Sequence, residues 1–220
     1  MHIGHYFSVI RPGIQDDVTV LVANYHAPTE RANLDVLYSF GVKNIKHQKD
    51  VFNPELYFKL LQLAKIGDLN RMTQFKSAET SNRTAHLLTY PVLMVHDVAG
   101  YEEVLVGEDQ EQHLQYARKL LHKYNSLYEP YTIPTANIIV GRIKDLREPT
   151  KKMSKSSPAG CLFLDDSPDA IRAKLRKATA TEEGLENLKF LYREFVDDNI
   201  PESNERLKGR LTEGIIGRFS

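Results

Sequence analysis

The chain has 220 residues, enough to bury a sizeable core as one large domain or as one domain with an appendage. Its 29 Lys and Arg balance 29 Asp and Glu, so overall charge does not announce a nucleic-acid partner. One cysteine, Cys161, excludes an internal disulfide and fits a reducing cytoplasm, and there is no signal peptide, repeat, low-complexity tract, membrane-length apolar run or tryptophan.

In chain order, residues 18–23 form a short β-branched apolar run that predicts a buried strand. Asn24, Tyr25, His26 and Ala27 follow at its C-terminal end, where α/β folds place ligands. Thr29 suits the cap of a helix with Leu34, Val36 and Leu37 inward, and Gly41 suits its stop. Residues 42–46 predict the next strand. Asn53 and Pro54 open a helix reaching about Ile66, with Leu56, Leu60, Leu63 and Ala64 on one face. Residues 87–98 predict an apolar helix with Pro91 near its start or kinking it. A strand over 104–106, a helix over 109–124 and a strand over 137–140 follow. Such alternation argues for an α/β fold, a parallel sheet with helices on both faces. After Asp166 the pattern turns helical, over roughly 168–178, 184–196 and 202–218. We place the boundary between 1–166 and 167–220.

Two short motifs stand far apart. His2-Ile3-Gly4-His5 pairs two imidazole donors with a glycine that lets backbone approach a phosphate. Lys152-Met153-Ser154-Lys155-Ser156 carries compact cations on flexible stems, suited to triphosphate oxygens. Residues 141–180 hold ten Lys/Arg against five acids, which fits phosphate binding or a solvated helix surface. Between the motifs, Tyr90, Met94 and Asp97 are spaced to share one helical face. A carboxylate on such a face is costly to bury without a donor, and a soft thioether beside it suits an aromatic ring.

The two motifs, in this order, resemble the ATP-binding signatures of class I aminoacyl-tRNA synthetases. Residues 68–76, 90–97, 107–110 and 149–152 narrow the resemblance to the tryptophanyl-tRNA synthetases, over most of residues 1 to 195. The resemblance implies a Rossmann-like catalytic domain over 1–166 and a short helical remnant of an anticodon-binding domain over 167–220. It implies activation of L-tryptophan by ATP to tryptophanyl-adenylate and pyrophosphate, then transfer to tRNA(Trp).

Residue by residue, it implies catalytic Lys152, Lys155 and Lys76. It implies ATP contacts from His2, Gly4, His5, Gly107, Asp109, Lys152, Met153, Ser154, Lys155 and Ser156. For tryptophan it implies Tyr90, Met94, Asp97, Val98, Val104, Val106, Gln110 and His26. Asp97 would receive the indole N–H, Met94 would pack on the ring, and Tyr90 and Gln110 would hold the α-amino group. Mg²⁺ would arrive with ATP, with no dedicated protein ligands. The implied state is a homodimer, with apolar helix faces around 56–66 and 87–98 as candidate interface.

Tyrosyl-tRNA synthetases share the architecture, but usually carry glutamine where this chain has Met94. Several features depart from the family pattern. The chain opens at Met1-His2, without the strand that usually precedes the first motif, and its C-terminal region is short. Ser157-Pro158 replaces a common acidic residue before proline. The loop from Asp97 to Gly107 is shortened, and His96 stands where a small residue is common. Two other readings follow from these departures: an adenylate-forming enzyme that does not charge tRNA, and a non-catalytic RNA-binding module.

Overall fold

A computed structural model describes residues 1–26, 34–107, 110–138 and 143–219. The chain divides into two compact units, Met1–Arg11 with Gly141–Ser220, and Pro12–Val140. The boundary expected at 166/167 falls inside the first unit. The expected cap Thr29 lies outside the described residues.

In the Pro12–Val140 unit, strand β1 (Val20–Val22) pairs in parallel with β2 (Ile45–His47), and β3 (Glu103–Val106) pairs in parallel with β4 (Thr135–Ile138). Parallel pairing is as the alternation predicted. Among the described residues the strands form two separate pairs. Strand β2 starts later than expected because Val42 gives its N–H to the Leu37 carbonyl, closing the end of helix Leu34–Ser39. Gly41 makes that reversal at φ +85°, a conformation glycine adopts without a Cβ penalty.

Helix Pro54–Leu63 begins at Asn53, whose Oδ1 accepts the Leu56 N–H at 3.1 Å. It ends at Leu63, as Ala64 turns to extended backbone. Helix Ala85–Val98 is capped by Thr84, whose Oγ1 accepts the Leu87 N–H. It runs through Pro91, which has no N–H to offer the turn before it. Helices Pro54–Leu63, Ala85–Val98 and Glu111–Asn125 pack together, with Leu60, Val92, Val95 and Leu121 fully buried between them. The apolar face around 87–98 is thus spent inside its own unit. Phe58 and Ile66 remain 59% and 67% exposed.

In the other unit, helix Ile3–His5 continues as a π-helical turn over Tyr6–Ile10. Ser8 donates its hydroxyl to the Gly4 carbonyl at 2.9 Å, a local bond that competes with the regular ladder there. Phe7 packs edge-on against Phe195, and Tyr6 meets the same ring at a tilt of 36°. Helix Pro168–Arg176 packs on helix Asn204–Phe219, which packs on helix Glu182–Phe195. Ser167 caps helix Pro168–Arg176 and Thr181 caps helix Glu182–Phe195, through the N–H groups of Ala170 and Gly184. Among the described residues no helix is long and apolar enough to cross a membrane.

Candidate active site

The two basic motifs belong to one unit. Ile3 donates its N–H to the Leu162 carbonyl at 2.9 Å, Leu164 donates to the Met1 carbonyl at 3.1 Å, and His2 bridges Phe163 in antiparallel fashion. The N-terminal turn is therefore tied to the segment that follows the Lys152–Ser156 loop.

Within the turn, His2 Nδ1 accepts the Gly4 N–H at 3.0 Å, so the neutral ring carries its proton on Nε2 and presents a donor there. A Cβ on Gly4 would stand 2.6 Å from His2 Cε1, so only glycine lets the ring fold over the backbone. The His5 ring lies edge-on, with centroids 4.2 Å apart. Burial, the neighbouring His5 and the Lys155 ammonium lower the His2 pKa to about 4. Burial lowers that of His5 against the bond to the His2 carbonyl, and Lys155 and Lys152 add to it. Near neutral pH both rings are uncharged.

A pH dependence follows. The folded chain refuses the His2 proton until about pH 4, while the unfolded chain takes it near the ordinary 6.5. Stability should therefore fall as pH drops from 6.5 toward 4, because the unfolded state binds more protons in that window. Below it this group adds no further change. Urea midpoints measured across the window should slope less in His2→Asn, which keeps an acceptor for the Gly4 N–H but cannot titrate.

In the loop, Lys152, Lys155 and Ser156 are exposed. Met153, expected among the ATP contacts, is instead 2% exposed, and its sulfur accepts the Leu162 N–H at 3.5 Å. It anchors the loop from below. Ser154 and Ser156 hydrogen-bond through their hydroxyls at 2.9 Å.

The Pro12–Val140 unit holds a second constellation. Tyr90, Met94 and Asp97 share a face of helix Ala85–Val98, as their spacing predicted. Met94 and Val98 are buried, and the Asp97 side chain is 8% exposed. Its carboxylate accepts from His26 Nε2 at 2.7 Å, from Gln48 Nε2 at 2.8 Å on both oxygens, and from His96 Nδ1 at 3.1 Å. Burial pushes this carboxyl up, but the donors from His26, His96 and Gln48 outweigh it and hold the group below the usual range. Two of the three donors are anchored behind. His96 Nε2 accepts the Asn53 N–H at 2.9 Å, which fixes its proton on Nδ1, and Gln48 Oε1 accepts the Tyr25 N–H at 2.8 Å. His26 also meets the Tyr90 ring edge-on at 4.5 Å.

Val104 and Val106 are partly buried against the same core, and Gln110 gives its N–H to the Gly107 carbonyl at 2.9 Å. Asp109 lies outside the described residues. Lys76 is exposed in helix Thr73–Ser77 of the same unit. Gln48 went unnoticed in the sequence. Its signal was position: it directly follows β2, as Asn24, Tyr25 and His26 follow β1. Asp145 was read only as one charge in a basic stretch.

A parallel α/β framework that carries these motifs is that of the class I aminoacyl-tRNA synthetases, and comparison with known proteins agrees. The model of the family "tRNA synthetases class I (W and Y)" matches residues 14–213, and the chain belongs to this family of aminoacyl-tRNA synthetases. Within it, the tryptophan–tRNA ligase of Tropheryma whipplei strain TW08/27 is 32% identical over 248 aligned residues, covering 96% of this chain and 74% of that enzyme. The tryptophan–tRNA ligase of Bacillus subtilis strain 168 is 42% identical over 132 residues, 56% of this chain and 40% of that enzyme. The crystal structure of tryptophanyl-tRNA synthetase from Mycoplasma pneumoniae matches all of this chain and 81% of its own, with a TM-score of 0.80 and 28% identity.

Proposed function

We propose that the protein is a tryptophan–tRNA ligase. The observation that carries the reading is the backbone pairing of the His2–His5 turn with the segment after the Lys152–Ser156 loop, which gathers imidazole and ammonium donors in one unit. In step one a tryptophan carboxylate oxygen attacks the α-phosphorus of ATP, the bond to pyrophosphate breaks, and tryptophanyl-adenylate forms. Lys152 and Lys155 stabilise charge on the departing pyrophosphate, and the Nε2–H of His2 donates to a phosphate oxygen. In step two a hydroxyl of the terminal ribose of tRNA(Trp) attacks the acyl carbon and AMP leaves. Positioning and electrostatics carry both steps without a covalent protein intermediate.

Asp97 receives the indole N–H. Of its three present donors, His26 is the one that yields, since His96 and Gln48 are each held from behind by a backbone N–H. Met94 packs on the ring, Val98, Val104 and Val106 form the wall, and Tyr90 and Gln110 hold the α-amino group. Mg²⁺ enters on the phosphates. Lysines and imidazoles are donors for phosphate oxygens rather than ligands for a hard cation, so this set fits a phosphate-borne ion. A second copy docks on the face with Phe58 and Ile66, whose exposed apolar surface suits burial in a homodimer. A cytoplasmic setting, where tRNA is charged, completes the reading.

Amino-acid-dependent ATP–pyrophosphate exchange tests it, with tryptophan and tyrosine side by side. Exchange driven by tryptophan alone is the expected result. Exchange with neither, on folded protein, would leave an RNA-binding module as the better description.

A further inference from the structure

Asp145 is a buried carboxylate that neither step above uses. It is 2% exposed, and an ionised carboxylate at such depth needs donors to offset lost hydration. It has them from three directions. Its Oδ1 accepts the N–H of Arg147 at 2.7 Å and of Glu148 at 3.0 Å, and the Ser157 hydroxyl donates to the carboxylate. Burial pushes this carboxyl up, and the Glu148, Arg147 and Ser157 donors bring it below the ordinary value.

The backbone around it forms the base of the Lys152–Ser156 loop. On the entering side, the Asp145 N–H donates to the Lys151 carbonyl at 3.0 Å, Met153 donates to Ile143 at 2.8 Å, and Lys144 bridges Lys152 in antiparallel fashion. On the leaving side, Ser157 donates to the Ser154 carbonyl and Gly160 to the Ser157 carbonyl, each at 3.1 Å, while Leu146 donates to the Gly160 carbonyl at 2.9 Å. A Cβ on Gly160 would fall 1.8 Å from Asp145 Oδ1, so the turn after the loop is shaped around this carboxylate. One side chain thus touches the turn before the loop through Arg147 and Glu148, and the turn after it through Ser157 and Gly160.

We infer that Asp145 is a positioning residue for ATP use: its carboxylate ties both ends of the Lys152–Ser156 loop together and so fixes where Lys152 and Lys155 start from. The inference rests on the reading of that loop as the triphosphate-binding element. It predicts a selective defect. Misplacing a charge-stabilising group by about 1 Å costs on the order of a hundredfold in rate.

The test is pyrophosphate exchange on the full chain, with KM for ATP, KM for tryptophan and kcat measured separately. Asp145→Ser should raise KM for ATP and lower kcat, a combined loss of about tenfold to a hundredfold, with KM for tryptophan unchanged within about twofold. Because the carboxylate meets the Ser157 hydroxyl, adding Ser157→Asp moves the acid across the same contact and should restore most of the loss. Should Asp145→Ser fail to fold, Ser157→Ala removes one donor alone and should raise KM for ATP without moving that for tryptophan. The inference is overturned by unchanged ATP parameters in these variants, by equal losses for ATP and tryptophan, or by no recovery in the double variant. Lys155→Ala separates the two levels. A large loss there beside a normal Asp145→Ser sinks only this inference, whereas normal exchange in Lys155→Ala sinks the reading of the loop.

Discussion

Lys155→Ala should lower tryptophan-dependent pyrophosphate exchange by about a hundredfold to a thousandfold, the range for removing one donor aimed at developing charge. The loop's design is the reason. Met153 is buried and fixes the middle of the loop, while Lys155 stays exposed two residues on, so the ammonium moves on its own stem above a fixed base. In the proposed mechanism, charge that grows on pyrophosphate as its bond to the α-phosphorus breaks is met by that ammonium, and the ground state of bound tryptophan is not. The loss should therefore appear in kcat and in KM for ATP. Tryptophan affinity should hold, and it can be read from the fluorescence of the ligand, since the chain contains no tryptophan of its own. Equal weakening of both substrates would show that Lys155 supports the fold instead.

Asp97→Ala should damage tryptophan use most, raising its KM by about two orders of magnitude while KM for ATP changes little. The proposed bond to the indole N–H is lost, and three donors that now converge on the carboxylate are left without their acceptor. Stranding buried donors costs about 1–3 kcal/mol each before relaxation. A drop in thermal midpoint should accompany the change, so Asp97→Asn is the sharper probe. It keeps the volume and one acceptor oxygen but turns an amine toward donors it cannot serve. If Asp97→Asn exchanges pyrophosphate with tryptophan as readily as the parent chain, the carboxylate is structural and the indole is read elsewhere.

Much of this site was legible in the sequence because its signals are local. The spacing of Tyr90, Met94 and Asp97 fixes their common helical face whatever else the chain does, and the two basic motifs are contiguous runs. Helix ends followed from short-range chemistry too, as at Asn53 and Gly41. The partners of Asp97 were not legible. His26 and Gln48 reach it from the ends of β1 and β2, and only strand pairing decides that these ends meet the Ala85–Val98 helix. His96 stood out as a bulky neighbour of the carboxylate, yet its work depends on the Asn53 N–H, another long-range match. The role of Met153 was misread for a related reason. Sequence shows that it lies between two lysines but not that its side chain turns inward onto Leu162.

The pairing of residues 1–3 with 162–164 also bears on how the chain is made. The ribosome delivers the Pro12–Val140 stretch, with its own core of Leu60, Val95 and Leu121, before Leu162 exists to receive Ile3. Until then the apolar side chains of Ile3, Phe7 and Ile10, made well before Leu162, lack the partners that bury them. Closing so long a loop is entropically slow to nucleate, and a contact of this sequence separation forms late. The Pro12–Val140 unit is therefore assembled first, and the pairing that holds the His2–His5 turn waits until Leu162 has been made. A nascent chain stalled short of Leu162 would carry the former without the latter, with Ile3, Phe7 and Ile10 exposed for chaperones to shield.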